Sequence, residues 1–498
     1  MTKASKGARF PSADLVRAVL KGHSGLGLAF AALLYLVCLT GTIAVFAHEF
    51  QRWENPDAER LETMSANAVQ AAYRTALDKA DGPVEHVLIL MPSDDRPWPT
   101  LRIDAEDGTQ TTWIADSAGR ITGKVREGWT KFLTRLHINL HLPQSWGIFI
   151  VGLTGVALLS SLISGLLAHP RIFRDAFHLR LGGSRRLQEA DLHNRIGVWA
   201  LPFHLTVSLT GALLGLSAII IGAIGLAVFQ GDTAKVYAIF TPPQPAEDAR
   251  PAPPLDLRPL FASVALRAPG ERITSLVIEH PTEMGAAAMF DVEDGSSRLA
   301  NANSYAFDRK GKLYYEHKAA HSNVGQQILG SLGLVHFGWF GGGIIKIAYA
   351  LLGLGLTYLA AGGVNIWLAR RRDKGRPAPG LERLWAATVW GQPVALICAA
   401  LAALFTPSLA PLIWIWGAVS IAVLGVAALF SSATLSRIGR AGTGALLIAL
   451  AAVHSVLMGA GDGMALIVDG TFGLIGVGLL ATSIGKTSIF KRRTFAAT

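Results

Sequence analysis

Charge is scarce in this chain. Charged residues are 16% of 498 and hydrophobic residues 51%, against about a quarter charged in soluble domains. The mean hydropathy is +0.38. Most of such a surface is not built to face water. Cysteine is scarcer still: Cys38 and Cys398 both lie inside apolar runs. That excludes a disulfide framework and a zinc cluster, and leaves two buried apolar thiols. No stretch reads as a flavin or nicotinamide site, because the glycine-rich stretches sit within apolar runs, where small residues serve helix packing. The net charge of +10 suggests nucleic acid until it is mapped. It gathers in short loops between apolar runs, where it reports membrane orientation instead.

What is present is a series of apolar runs of spanning length. They cover 24–46, 146–168, 197–229, 344–369, 388–405, 411–430, 444–458 and 464–485, and predict a polytopic α-helical membrane protein of about eight spans. The first run follows Lys3, Lys6, Arg9, Arg17 and Lys21. It is too long for a signal-peptide core and reads as a retained anchor. Threading eight spans puts both termini on one side. The same side takes Arg171, Arg174, Arg180, Arg185, Arg186 and Arg195 in one loop, and Arg370, Arg371, Arg372, Lys374 and Arg376 in another. Arg437, Arg440, Lys491, Arg492 and Arg493 join them. The positive-inside rule makes that side cytoplasmic, in a bacterial inner membrane with two long segments in the periplasm.

The expected division is a basic leader (1–22), span 1 (23–48), a first outer domain (49–145), span 2 (146–168) and a basic loop (169–196). Then come span 3 (197–229), a second outer domain (230–335), span 4 (336–369) and a basic loop (370–387). A four-span extension (388–485) and a basic tail (486–498) complete the chain.

The halves repeat. His23-Ser-Gly-Leu-Gly opens the first span, with Thr40-Gly41 after it; His193-Asn-Arg-Ile-Gly opens the third, with Thr210-Gly211 at the same spacing. Each outer segment then predicts a helix, 66–79 or 257–267, followed by short strands. The strands fall at 86–91, 100–104 and 111–116 in one segment, and at 273–279, 287–292 and 304–308 in the other. The turns Asp116-Ser-Ala-Gly-Arg-Ile and Asp308-Arg-Lys-Gly-Lys-Leu match, each with a glycine where φ > 0 is needed. A histidine precedes the next span in each half: His137 and His336.

Ionisable residues in or beside spans point to function, although any single helix-end histidine is as well explained as a polar cap. The repeat removes that indifference. His23 and His193 hold equivalent places at one membrane face, and His137 and His336 at the other. Two pairs are what two bis-histidine b-type haems require, with neutral imidazoles as axial ligands. Covalent c-type attachment is excluded, since there is no Cys-x-x-Cys-His. His204 lies eleven residues after His193, about three helical turns, and so shares its face. His141 lies one turn after His137, and His48 ends span 1. These three rank as alternative ligands. His454, alone in a weak span, reads as structural. His86, His280, His317 and His321 read as surface residues of the outer segments.

These motifs, with Leu136-His137-Ile-Asn-Leu and His336-Phe-Gly…Gly341-Gly342, resemble the PepSY-associated transmembrane-helix proteins over about 15–372. The resemblance implies two small α/β outer domains of the PepSY type and an iron-regulated inner-membrane role. In one branch it implies two haems b and reduction of a periplasmic ferric siderophore, and its helix-end histidines fall on His23, His137, His193 and His336. Ser24 and Asn194 depart from that pattern, where Arg is commoner, and 380–485 lies outside it. The expected partners are membrane lipid, a ferric siderophore or similar chelate, and a separate electron donor that is a protein, a quinol or a small reductant; nucleic acid is not among them. Two rival readings remain: a membrane-anchored PepSY binding module without redox activity, and an iron or chelate transporter. The second lacks the mid-span polar residues it calls for, apart from Asp462 and Asp469 near span ends.

Overall fold

The computed structural model describes residues 13–168, 173, 185–239, 243, 248–293, 295, 299–300, 302–459 and 461–484. The leader before residue 13, nearly all of the 169–184 loop with His169, and the basic tail lie outside the described residues.

The first half runs α1 (Ala13–Ala29), α2 (Ala31–Ala44), α3 (Ala47–Glu54), α4 (Ala66–Asp78), β1 (Val84–Leu90), β2 (Thr100–Ala105), β3 (Gln110–Ala115), β4 (Ile121–Lys124), α5 (Gly128–Asn139) and α6 (Gln144–Ala168). The second runs α7 (Arg185–Trp199), α8 (Leu201–Gly215), α9 (Ser217–Phe229), α10 (Thr233–Tyr237), α11 (Arg258–Arg267), β5 (Arg272–Glu279), β6 (Ala287–Glu293), β7 (Ala302–Asp308), β8 (Leu313–His317), α12 (Val324–Phe337) and α13 (Gly342–Asp373). An extension follows: α14 (Pro379–Ala403), α15 (Leu409–Val426), α16 (Ser432–Met458) and α17 (Gly463–Ile484).

Among the described residues, α6 and α13 to α17 are each long and apolar enough to cross a membrane. Counting α1–α2 and α7–α8 as one span each gives eight. The segments expected as spans 1 and 3 are not straight: these pairs bend by 68° and 72°. Each bend falls seven residues after the leading histidine, at Phe30 (φ −101°, ψ 5°) and Ala200 (φ −98°, ψ 14°). Pro202 explains the second bend, because it lacks an N–H and clashes one turn back. The first has no proline, and its two arms pack on different helices, α1 on α6 and α2 on α13. The apolar run of span 3 also breaks at Leu216, where φ −102° and ψ 10° end α8.

Contacts divide the chain into two units: a helical one (1–53, 128–216 and 341–498) and a sheet one (54–127 and 217–340). In the helical unit α1 packs on α6 and α2 on α13, while α7 packs on α13 and α8 on α6. Each bent arm thus touches the long helix of its own half with its first segment and that of the other half with its second. Glycine permits the closest approaches. A Cβ on Gly152 of α6 would lie 2.7 Å from the Gly215 carbonyl carbon of α8, and one on Gly353 of α13 would lie 2.6 Å from the Thr42 hydroxyl of α2. Thr40 and Thr210 satisfy their hydroxyls one turn back, on Leu36 O (2.8 Å) and Thr206 O (2.6 Å).

The sheet unit corrects the expectation of two separate outer domains. Both strand sets join in one antiparallel sheet of order β4-β3-β2-β1-β5-β6-β7-β8, through β1 and β5, with Leu88 opposite Val277. Pairing these strands removes two apolar edges that isolated domains would expose. Val69, Tyr73, Leu260 and Val264 of α4 and α11 cover the apolar face formed by Ile89, Leu101, Ile278 and Phe290. Gln70 ties the two halves further: its carbonyl accepts from Leu257 N (2.6 Å) and its amide donates to Leu255 O (3.3 Å). Both hairpin turns form as expected. Gly119 and Gly311 take φ 80° and 76°, and Asp116 and Asp308 accept backbone N–H groups across them. Residues 128–145, expected in the first outer domain, belong to the helical unit instead.

Candidate functional site

Three histidines of the helical unit, His23, His137 and His193, sit where a helix crosses a glycine. His23, on α1, places Nδ1 3.0 Å from Ser161 O and 3.2 Å from Ser164 Oγ of α6. Its ring lies against Gly165, whose added Cβ would come 3.4 Å from Cε1. His193, on α7, lies against Gly362 and Gly363 of α13, each at 3.7 Å by the same measure. The two leading histidines therefore rest on the long helix of their own half, and α1 also reaches α13.

His137, on α5, places Nδ1 3.0 Å from Val37 O and 3.4 Å from Thr40 Oγ1 of α2. Its ring covers Gly41, where a Cβ would meet Cε1 at 2.6 Å; only glycine fits beneath it. The Thr-Gly motif of the first span thus has a physical role as the seat of His137. Burial pushes His137 down to about 4, with the Val37 carbonyl acting the other way. A carbonyl only accepts, so Nδ1 of both His23 and His137 carries a proton, and a neutral ring then has its lone pair on Nε2. An imidazole that donates one ring N–H to a carbonyl and presents the other nitrogen is the usual state of a metal-ligating histidine.

His336 lies at the end of α12 in the sheet unit, edge-on to Phe337 at 5.3 Å, just before Gly338 at φ 70°. His48 is on α3 of the helical unit. His141 does not share a helical face with His137, because α5 ends at Asn139 and both Leu140 and His141 take left-handed φ (56° and 54°). Its ring stacks on Phe132 at 4.7 Å. Nor does His204 share a face with His193, since the 72° bend lies between them. His204 is fully buried on α8, and neither ring nitrogen makes a hydrogen bond of ordinary geometry.

Two groupings escaped the sequence reading. His454 does not stand alone: it is buried against Asp469, Trp53 and Ser455, with Arg52 and Asp462 paired nearby on the same segments. In the sheet unit, His86 pairs with Glu279 and with Glu85 (3.4 Å), and His280 with Glu283 (3.6 Å). No spacing rule links Trp53 to His454, 401 residues away, or His86 to Glu279 on a strand of the other half.

Comparison with known proteins adds two findings. The family described as the PepSY-associated TM region matches residues 20–370, which leaves α14 to α17 beyond the match. An uncharacterized protein of Pseudomonas aeruginosa is 31% identical over 249 residues, 47% of this chain and 63% of that protein. The chain thus spans less than two thirds of the curated relative it matches.

Proposed function

We propose, since the chain belongs to the PepSY-associated TM region family over residues 20–370, that it is a membrane haem-b reductase of the inner membrane. It carries electrons from a cytoplasmic-side donor to a ferric chelate, such as a siderophore, on the periplasmic side. One observation carries the reading. His23 and His137 each give Nδ1 to a backbone carbonyl of a facing helix, at 3.0 Å in both cases, and each lies over a glycine that makes room for its ring. This donor set fits b-type haem, whose iron takes neutral imidazole nitrogens. His23, His193, His137 and His336 would hold two such groups, with His204, His141 and His48 as the alternatives.

A bound haem supplies a one-electron ferric/ferrous couple. The chain's own part is to hold the imidazoles neutral and oriented, to keep water from them with apolar helices, and to present the sheet unit to the chelate. One electron reduces one ferric ion, and the hard oxygen ligands of a siderophore hold the ferrous product less tightly. The donor is a quinol, a protein or a small reductant.

The test is a reduced-minus-oxidised absorption spectrum of the purified protein, with haem counted per chain by pyridine haemochrome. The expected result is two b-type haems, falling when His23, His137, His193 or His336 becomes Ala. A colourless protein from haem-replete cells would sink the reading. The sheet unit would then stand as a binding module on a membrane anchor. The polar face that Ser275, Asp291 and Ser304 form favours that second reading.

A further inference from the structure

The extension α14–α17 lies beyond the family match, yet it grips the first half at two points. The first is α3, the helix that leads into the inserted segment 54–127. Arg52 makes a two-pronged pair with Asp462, Nε to Oδ2 at 3.0 Å and Nη2 to Oδ1 at 2.8 Å, and Met464 N also donates to Asp462 Oδ1 at 2.6 Å. Both partners are buried, at 7% and 2% exposure. Next to it, Trp53 Nε1 donates to Asp469 Oδ1 at 2.8 Å, and the indole stacks on His454 at 4.2 Å and 17°. Asp469 Oδ2 lies 2.8 Å from His454 Nδ1 and accepts from Ser455 Oγ at 2.9 Å.

The second point is α5, the helix that leads out of the same segment. Its Trp129, Phe132, Leu133 and Leu136 form one buried cluster with Phe50 and Trp53 and with Leu396, Leu404 and Leu412 of the extension. Phe50 joins the points, lying 6.0 Å from Trp129 and 6.2 Å from Phe472.

The hydrogen-bond inventory fixes a proton. His454 Nε2 is 2.7 Å from Trp53 O, which only accepts, so Nε2 carries hydrogen. Nδ1 then faces a carboxylate oxygen at 2.8 Å. With a neutral ring and an ionised Asp469, two lone pairs would oppose each other in a site that is 0% exposed at His454, an arrangement that low dielectric makes costly. One further proton between the two atoms removes the conflict. It leaves the His454–Asp469 pair without net charge, as the Arg52–Asp462 pair is.

We propose that the extension is a clamp on both feet of the first inserted segment, closed by a proton shared between His454 and Asp469. The inference stands apart from the haem reading, and neither of its measurements needs haem. The first is nitrogen-15 spectroscopy of the histidine rings in the full-length protein, with His454→Gln to assign the signal, together with the infrared carboxyl region. An imidazolium at His454 supports the shared proton. So does a neutral ring with a protonated-carboxyl band that Asp469→Asn abolishes. A neutral ring with no such band overturns it.

The second measurement is hydrogen exchange along the chain. In Asp469→Leu, the amides of α3 and α5 are expected to exchange about tenfold faster or more, with α10 and α12 unchanged. Asp469→Asn keeps its oxygen for Trp53 Nε1, while its amide donates to Nδ1 of a neutral ring and, with the direction reversed, to Ser455 Oγ, so exchange there stays near wild type. Trp53→Phe, which loses the indole donor and part of the ring stacked on His454, gives a rise of about threefold or more and serves if Asp469→Leu does not fold. Unchanged exchange at α3 and α5 in whichever of Asp469→Leu and Trp53→Phe folds overturns the clamp.

Discussion

The two halves share an order of elements and differ in how their inserted segments are anchored. In both, a bent helix pair carries a histidine seven residues before its bend, four antiparallel strands follow, and a short helix with a histidine precedes a long apolar helix. In the first half the flanking helices α3 and α5 belong to the helical unit. In the second half α9, α10 and α12 belong to the sheet unit. A repeated sequence pattern thus specifies local structure twice, while residues outside the repeat decide what each copy packs against. The extension supplies Asp462, Asp469 and His454 to the first half, and Arg52 and Trp53 receive them.

The comparison breaks most sharply at Arg52. Arg52→Leu leaves Asp462 buried without its partner and should cost about 3–5 kcal/mol, whereas Arg52→Leu with Asp462→Leu should recover most of the loss. Thermal unfolding in detergent measures both, and equal stability of the single and double variants would refute the pair's role.

The glycine seats come next. Gly41→Ala drives a methyl to 2.6 Å from His137, while Gly362→Ala places one at 3.7 Å from His193. The first should cost about 1–3 kcal/mol, and the second should be nearly silent on stability. If the two variants melt together, the histidine seats are equivalent after all.

A smaller effect sharpens another buried asymmetry. His204 lies eleven residues after His193, and the same offset from His23 gives Leu34, which is also buried. His204→Leu removes a buried ring whose nitrogens lack hydrogen bonds of ordinary geometry and is expected to stabilise the apoprotein by about 1–2 kcal/mol. A loss of bound haem in the same variant would instead make His204 part of the cofactor site.

The smallest effect is at the first hairpin. Burial raises the Asp116 carboxyl, but hydrogen bonds from the Arg120 backbone and side chain, with its charge, outweigh burial and hold it below the usual carboxylate range. A group depressed in the folded state contributes stability above its unfolded value, near 4, and loses it as pH falls further. The contribution is about 0.5 kcal/mol after solvent screening. Asp116→Asn should flatten stability against pH below about 4 by that amount, read from unfolding of the sheet unit.

Much of this was legible in the chain. The six strands read from alternation begin and end within two residues of those observed, because side-chain alternation and turn glycines are local signals. Two edge strands, β4 and β8, were implied only by their hairpin turns. His137 and His23 were legible through the repeat, but the carbonyls that orient them were not. Val37 and His137 are 100 residues apart, and His23 and Ser161 are 138 apart. His454 was misread as solitary because its partners on α3 are 401 residues away.

By itself the sequence determined the membrane character, the apolar segments of spanning length, the strands and their turns, and which histidines recur. Each rests on apolar length, on period, or on a glycine that must take positive φ, all properties of neighbours along the chain. Only the tertiary structure decided that two four-stranded sets share one sheet, that two apolar segments bend, and that His137 lies over Gly41. It alone closed a buried imidazole between Asp469 and Trp53. Those outcomes depend on which distant surfaces exclude water and lipid together, and on where a buried donor finds its acceptor. No local pattern encodes either.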